Sequence, residues 1–172
     1  EQADTLRTVA VSRRKQAAEA IPSVNIIGVS KNKKSLALGG LGNVVREKAY
    51  GLQIGGLYNH VGDIGRGVAI AGLANTTLGS YYGVQLGGLW NYTFHDTKGV
   101  MIGGLANWVN SGFDGLQLGG LANITRDARA IQVAGLTNIS KGLYGIQISG
   151  LTNISQDAYG LQLAGLSNVS HD

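Results

Sequence analysis

The chain has 172 residues, of which 44% are hydrophobic and only 14% charged, enough for one domain with a sizeable core and too apolar for a disordered polar chain. Cysteine is absent, which excludes disulfides, thiolate metal sites and cysteine nucleophiles. The net charge of +4 is uneven: residues 1–48 hold nine Lys/Arg against four acids, and residues 49–172 hold five against six. Basic character is thus an N-terminal property and not the Lys/Arg-lined face of a nucleic-acid binder. No apolar run approaches the roughly 18 residues of a membrane-spanning helix.

In chain order, residues 1–23 read as a basic N-terminal arm or cap. Glu1-Gln2-Ala3-Asp4 reads as a mature terminus left after removal of a signal peptide. Residues 5–11 alternate like an edge strand, residues 14–20 suit a short helix stopped before Pro22, and Arg13-Arg14-Lys15 suits a solvated segment. Residues 24–172 read as a repeat domain. Its first coil is degenerate, with Asn25 18 residues before Asn43.

From there the phrase Gly-Leu-x-Asn recurs nine times, with asparagines at Asn43, Asn59, Asn75, Asn91, Asn107, Asn123, Asn138, Asn153 and Asn168. The first five steps are 16 residues and the last three are 15. A fixed period marks a repeat architecture. In the unit 115–130, Gly115-Leu116-Gln117-Leu118-Gly119 alternates as a half-buried strand, Gly119-Gly120 supplies a bend, and residues 125–129 make a polar return turn. Leu116, Leu118, Leu121 and Ile124 are then expected to share the core. The glutamines Gln53, Gln85, Gln117, Gln132, Gln147 and Gln162 are expected to point outward.

Every repeat resembles its immediate neighbour. An antiparallel meander would make alternate repeats differ, whereas parallel stacking sets like residues on like. The prediction is an all-β, single-domain β-solenoid, akin to a parallel β-helix, with about nine coils of 15–16 residues and a short N-terminal cap or arm. Stacked asparagines then hydrogen-bond up a structural ladder. The chain ends at His171-Asp172 without a capping segment, which leads us to expect further chain or a partner there.

Aromatic residues concentrate in the 16-residue coils. Tyr58 and Trp90 follow Gly-Leu, while Tyr92 and Trp108 follow the asparagine. Trp90, Tyr92 and Trp108 are expected to cluster, either filling the core where the coil is longer or forming a contact surface for a protein or glycan. Just before the strand-opening glycine runs a second column of exposed character: Tyr50, Arg66, Tyr82, Lys98, Asp114, Arg129, Tyr144 and Tyr159. The candidate contact residues are Tyr58, Trp90, Tyr92, Trp108 and Tyr82.

The units GLQIGGLYN (51–59), GVQLGGLWN (83–91), GLQLGGLAN (115–123) and GIQISGLTN (145–153) resemble the Gly-Leu-Gln-Ile-Gly-Leu-Val-Asn type surface-repeat proteins of Gram-negative bacteria, over residues 36–172. An extra glycine before the Leu of Gly-Leu-x-Asn departs from that pattern. The resemblance implies an exported molecule, outer-membrane-associated or on the cell surface, with no assigned activity.

Catalytic chemistry finds little support. His60, His95 and His171 sit at unrelated repeat phases with no second ligand at fixed spacing, so no metal or cofactor is expected. The acids fall singly on turns, and Gly62 to Gly67 lacks the following helix of a phosphate loop. Six ladder asparagines form Asn-x-Ser/Thr sequons, too buried for glycosylation. The resulting expectation is a non-catalytic exported scaffold on a bacterial envelope with an envelope or outer-membrane protein partner. One alternative is a carbohydrate-binding solenoid with an aromatic face, and a second is an outer-membrane β-barrel component. An ice-binding face is set aside, because a Gln column is not a threonine array.

Overall fold

The computed structural model describes residues 7–14 and 23–171. Residues 7–14 form an exposed helix, α1, which corrects the edge-strand expectation for that segment. It pairs with no described strand, and a helix satisfies its backbone groups internally where a lone strand cannot. The helix expected over residues 14–20 lies outside the described residues apart from Arg14, the last residue of α1.

From Ser23 onward the chain is a stack of coils. Its strands are β1 (Ser23–Ser30), β2 (Ala37–Val45), β3 (Ala49–Gly55), β4 (Tyr58–Val61), β5 (Gly65–Ala71), β6 (Ala74–Thr77) and β7 (Tyr81–Gly87). They continue as β8 (Trp90–Thr93), β9 (Thr97–Gly103), β10 (Ala106–Gly119), β11 (Ala122–Ala134), β12 (Thr137–Ser149), β13 (Thr152–Ala164) and β14 (Ser167–Ser170). Pairing between them is parallel throughout. Equivalent residues lie rung over rung: Asn107 pairs with Asn91 and Asn123, and Gln117 with Gln132. The fold is a β-solenoid of about nine turns. Parallel order removes the antiparallel meander, and with it the membrane barrel built from one.

Each coil has a long strand, a sharp corner, a short strand and a return turn. β3, β5, β7 and β9 stack into a long-strand face, and β4, β6 and β8 into a short-strand face. β10 to β13 carry both faces in single strands of 13 or 14 residues. The change precedes the shortening of the period by one turn, since β10 runs through the three-residue turn 110–112 where it pairs with β11. The 16-residue coils place three residues in the return turn, such as Phe94-His95-Asp96, and the 15-residue coils place two, such as Arg126-Asp127.

The interior reverses the sequence expectation. Gln117 and Asn123 are fully buried, whereas Leu121 is 44% exposed and Leu116, Leu118 and Ile124 point outward, half-buried. The glutamines line the lumen from Gln53 to Gln162 instead of facing out. The corner explains the reversal. At Gly119, a Cβ would stand 2.4 Å from the Ala122 carbonyl oxygen and 2.8 Å from Asn123 Oδ1. The two strands approach so closely inside the corner that branched side chains cannot face each other there. Hydrogen-bonded amides and small residues fill the lumen, and the aliphatic parity is left outside.

Apolar filling concentrates near the return turns. Met101, Val109, Phe113, Ala128, Ala130 and Leu143 form one buried cluster, and Val45, Ala49 and Val61 a second. Tyr81 is 3% exposed, its ring beneath Gly65, where a Cβ would stand 2.3 Å from Tyr81 Cδ2. Burial pushes the Tyr81 hydroxyl pKa well above the ordinary phenol value.

One glycine column is required by the backbone. Gly51, Gly67, Gly83, Gly99, Gly115, Gly145 and Gly160 have φ from 106° to 150°. A Cβ on Gly99 would also lie 2.0 Å from the Gly83 carbonyl oxygen one rung away. Ala130 takes this place once, without a positive φ.

Candidate functional site

Two amide ladders fix the rungs. Each ladder asparagine from Asn43 to Asn153 donates to Oδ1 of the next, as from Asn91 to Asn107 at 2.8 Å. Its second N–H donates to a long-strand carbonyl of the next coil, as Asn91 does to Ile102 at 2.8 Å. The ladder begins at Asn43 because Gly28, not Asn25, pairs with it. Asn43 Oδ1 consequently has no partner among the described residues. The buried sequon asparagines are hydrogen-bonded into this ladder, while Asn168 on the last rung is exposed.

The second ladder is continuous only in the 15-residue coils. Gln162 donates to Gln147 at 2.8 Å and Gln147 to Gln132 at 2.8 Å, and Gln132 donates to Gln117. Ser140, Ser155 and Thr125 hydroxyls join it from the facing strand. Earlier it is broken by Met101 and Ala69. Gln53, between Ala37 and Ala69, has a buried amide with no partner among the described residues.

The outside carries the candidate surfaces. On the short-strand face, Trp90 is 46% and Trp108 50% exposed, so neither indole fills the core. The aromatic core fillers are Tyr81 and Phe113, whose inward repeat phase was the available signal. Trp90 and Tyr92 flank inward Asn91 on β8, and Tyr92 meets Trp108 edge-on at 6.1 Å. Trp90 itself makes no ring contact among the described residues. It stands between Ala74 and Ala106, with Tyr58 two rungs away, about 9.6 Å. Trp108 also ends a shallow trough floored by Ile124, Ile139 and Ile154 and edged by Arg126 and Lys141.

Tyr82 lies apart from these four. It belongs to the column along the far edge of the long strands, where the Arg66 guanidinium stacks 5.2 Å from its ring and 5.9 Å from that of Tyr50. Tyr144 and Tyr159 stack at 5.1 Å in the same column.

A surface that sequence reasoning missed lies beside this column. Its three outward rows are Leu52, Val68, Val84, Val100, Leu116, Ile131, Ile146 and Leu161; Ile54, Ile70, Leu86, Ile102, Leu118, Val133, Ile148 and Leu163; and the corner leucines Leu57, Leu73, Leu89, Leu105, Leu121, Leu136, Leu151 and Leu166. All are branched aliphatics, and many are 37–50% exposed. The signal was present as strict alternation, but the alternation was assigned the wrong inside.

No metal-binding group of three or more His, Asp or Glu occurs among the described residues. His60 Nδ1 lies 2.9 Å from Thr76 Oγ1, and His95 Nδ1 lies 3.0 Å from the Leu78 carbonyl. Near the first coil is an open cavity of about 410 Å³ with a mixed lining that includes Ser23, Asn25, Lys33 and Asn43 beside Val29, Ala37 and Val45. Burial lowers the Lys33 pKa there. Among the described residues no helix is long and apolar enough to cross a membrane. No family of known proteins, no curated protein and no solved structure matches the chain.

Proposed function

We propose that this chain is a non-catalytic, exported interaction scaffold of a bacterial envelope, outer-membrane-associated or on the cell surface. It engages an envelope protein partner through Tyr58, Trp90, Tyr92 and Trp108. The observation that carries this reading is the half exposure of both indoles on a sheet whose every rung is pinned by an asparagine bond. Large, amphipathic rings held on a rigid frame lose little conformational freedom on binding and favour interfaces.

Pull-down from native envelope extract with the wild type and with Trp90→Ala/Trp108→Ala tests it. The double variant is expected to lose partners that the wild type retains. Identical partners for both would remove the aromatic patch from the interface.

A second reading, a glycan platform, draws on the trough beside Trp108. Arg126 and Lys141, with no ion pair among the described residues, suit an acidic sugar stacked on the indole. Quenching of tryptophan fluorescence by an acidic oligosaccharide, absent in Trp108→Ala, is its expected result.

A further inference from the structure

We propose that the long-strand face is the interface of a two-fold homodimer in which two rods pack face to face and antiparallel. This goes beyond the scaffold reading and uses a different face from the aromatic patch.

The face has no polar group to satisfy. Its twenty-four aliphatic side chains are partly or half exposed and present on the order of 1,500 Å², more than the ~800 Å² per partner of a stable interface. An apolar patch that size far exceeds the ~300–600 Å² typical of a monomer surface. Its ridges repeat with the rung spacing of about 4.8 Å. A second copy carries the same corrugation and meshes with it over the eight rungs that run from Leu52 to Leu161, with the Leu38 and Leu41 rung beyond the overlap.

The edge column gives the orientation. From one end it reads Tyr50, Arg66, Tyr82, Lys98, and onward Asp114, Arg129, Tyr144, Tyr159. A two-fold axis parallel to the strands, passing between the Lys98 and Asp114 rungs, sets this column opposite itself in reverse. Lys98 then faces Asp114 of the second copy, and Tyr82 faces Arg129. Arg66 faces Tyr144, and Tyr50 faces Tyr159. Each cation meets an acid or an aromatic ring, and no two like charges meet. Within one chain Lys98 and Asp114 form no ion pair with each other, although the Lys98 charge also acts on Asp96. Parallel rods related by an axis along the stack would bring this column against the opposite edge and lose the pairing.

Sedimentation velocity over a concentration series is expected to show a dimer for the wild type and a monomer for Ile102→Lys. Ile102 is 38% exposed, and an unchanged circular dichroism spectrum would confirm that the variant still folds. Lys98→Asp is expected to weaken association roughly tenfold at low salt, and Lys98→Asp/Asp114→Lys to restore it. A mixture of Tyr50→Cys and Tyr159→Cys chains is expected to oxidise to the mixed disulfide dimer, with neither chain cross-linking alone. A wild-type monomer at all concentrations overturns the proposal. So does a monomer that co-floats with phosphatidylglycerol–phosphatidylcholine vesicles, or a dimer linked Tyr50→Cys to Tyr50→Cys.

Discussion

The 16-residue and 15-residue coils are the same fold filled in two ways. In the longer coils the lumen is heterogeneous: Ala69 and Met101 interrupt the glutamines, and Tyr81 and Phe113 fill the return-turn end. In the shorter coils Gln117, Gln132, Gln147 and Gln162 form one unbroken amide ladder, and strand pairing continues around the return turn. One residue fewer in the turn keeps successive rungs in register on both faces at once. The comparison teaches that an amide in this lumen needs either a matched amide on the next rung or hydroxyls on the facing strand: Gln85, between Ala69 and Met101, is held by Thr77 and Thr93, whereas Gln53 has neither.

The strongest way to break either region is through the element they share. Gly99→Ala places a Cβ at φ +131° and 2.0 Å from the Gly83 carbonyl. Backbone strain and overpacking together are expected to cost about 4 kcal/mol, read as a fall in Tm of about 10 °C. A stability within error of wild type would show that the rungs can separate without penalty.

The two glutamine environments make opposite predictions. Gln147→Leu removes the donor to Gln132 Oε1 and to the Ser140 hydroxyl and leaves the Gln162 amide with Ser155 alone, and is expected to destabilise by about 2 kcal/mol. Gln53→Leu removes a buried amide that has no partner among the described residues, and is expected to stabilise by about 1 kcal/mol. Denaturant unfolding of both variants decides the matter. Equal signs for the two would collapse the distinction between the regions.

The smallest effect sits in a three-residue return turn. The Asp96 carboxylate accepts from the Gly112 N–H at 2.9 Å and the Ser111 hydroxyl at 2.8 Å, which hold its pKa below the usual range. A depressed folded-state pKa stabilises above the unfolded value, near pH 4, and that contribution is lost as the pH falls through the folded value. Solvent screening keeps it under about 1 kcal/mol. Asp96→Ala is expected to lower Tm slightly at neutral pH and to leave it unchanged near pH 2. An equal loss at both pH values would show that the carboxylate charge is not the cause.

The amino-acid sequence by itself determined the period, the parallel stacking, the asparagine ladder and the exposed Tyr/Arg/Lys column. The first three depend only on like residues recurring at one spacing, and the column only on a shared repeat phase, because a rung-on-rung stack turns repetition directly into contact. What only the tertiary structure decided was which side of the coil is the inside. Alternation separates Gln117 from Leu116 and Leu118 but is symmetric between the two faces, and hydrophobicity alone points to the wrong one. The close approach of two strands inside the Gly-Gly corner, and the hydrogen bonds that stacked amides make with one another, put the glutamines in the lumen. For the same reason Trp90 and Trp108 came out on the surface, while Tyr81 and Phe113, at the inward phase, became the core.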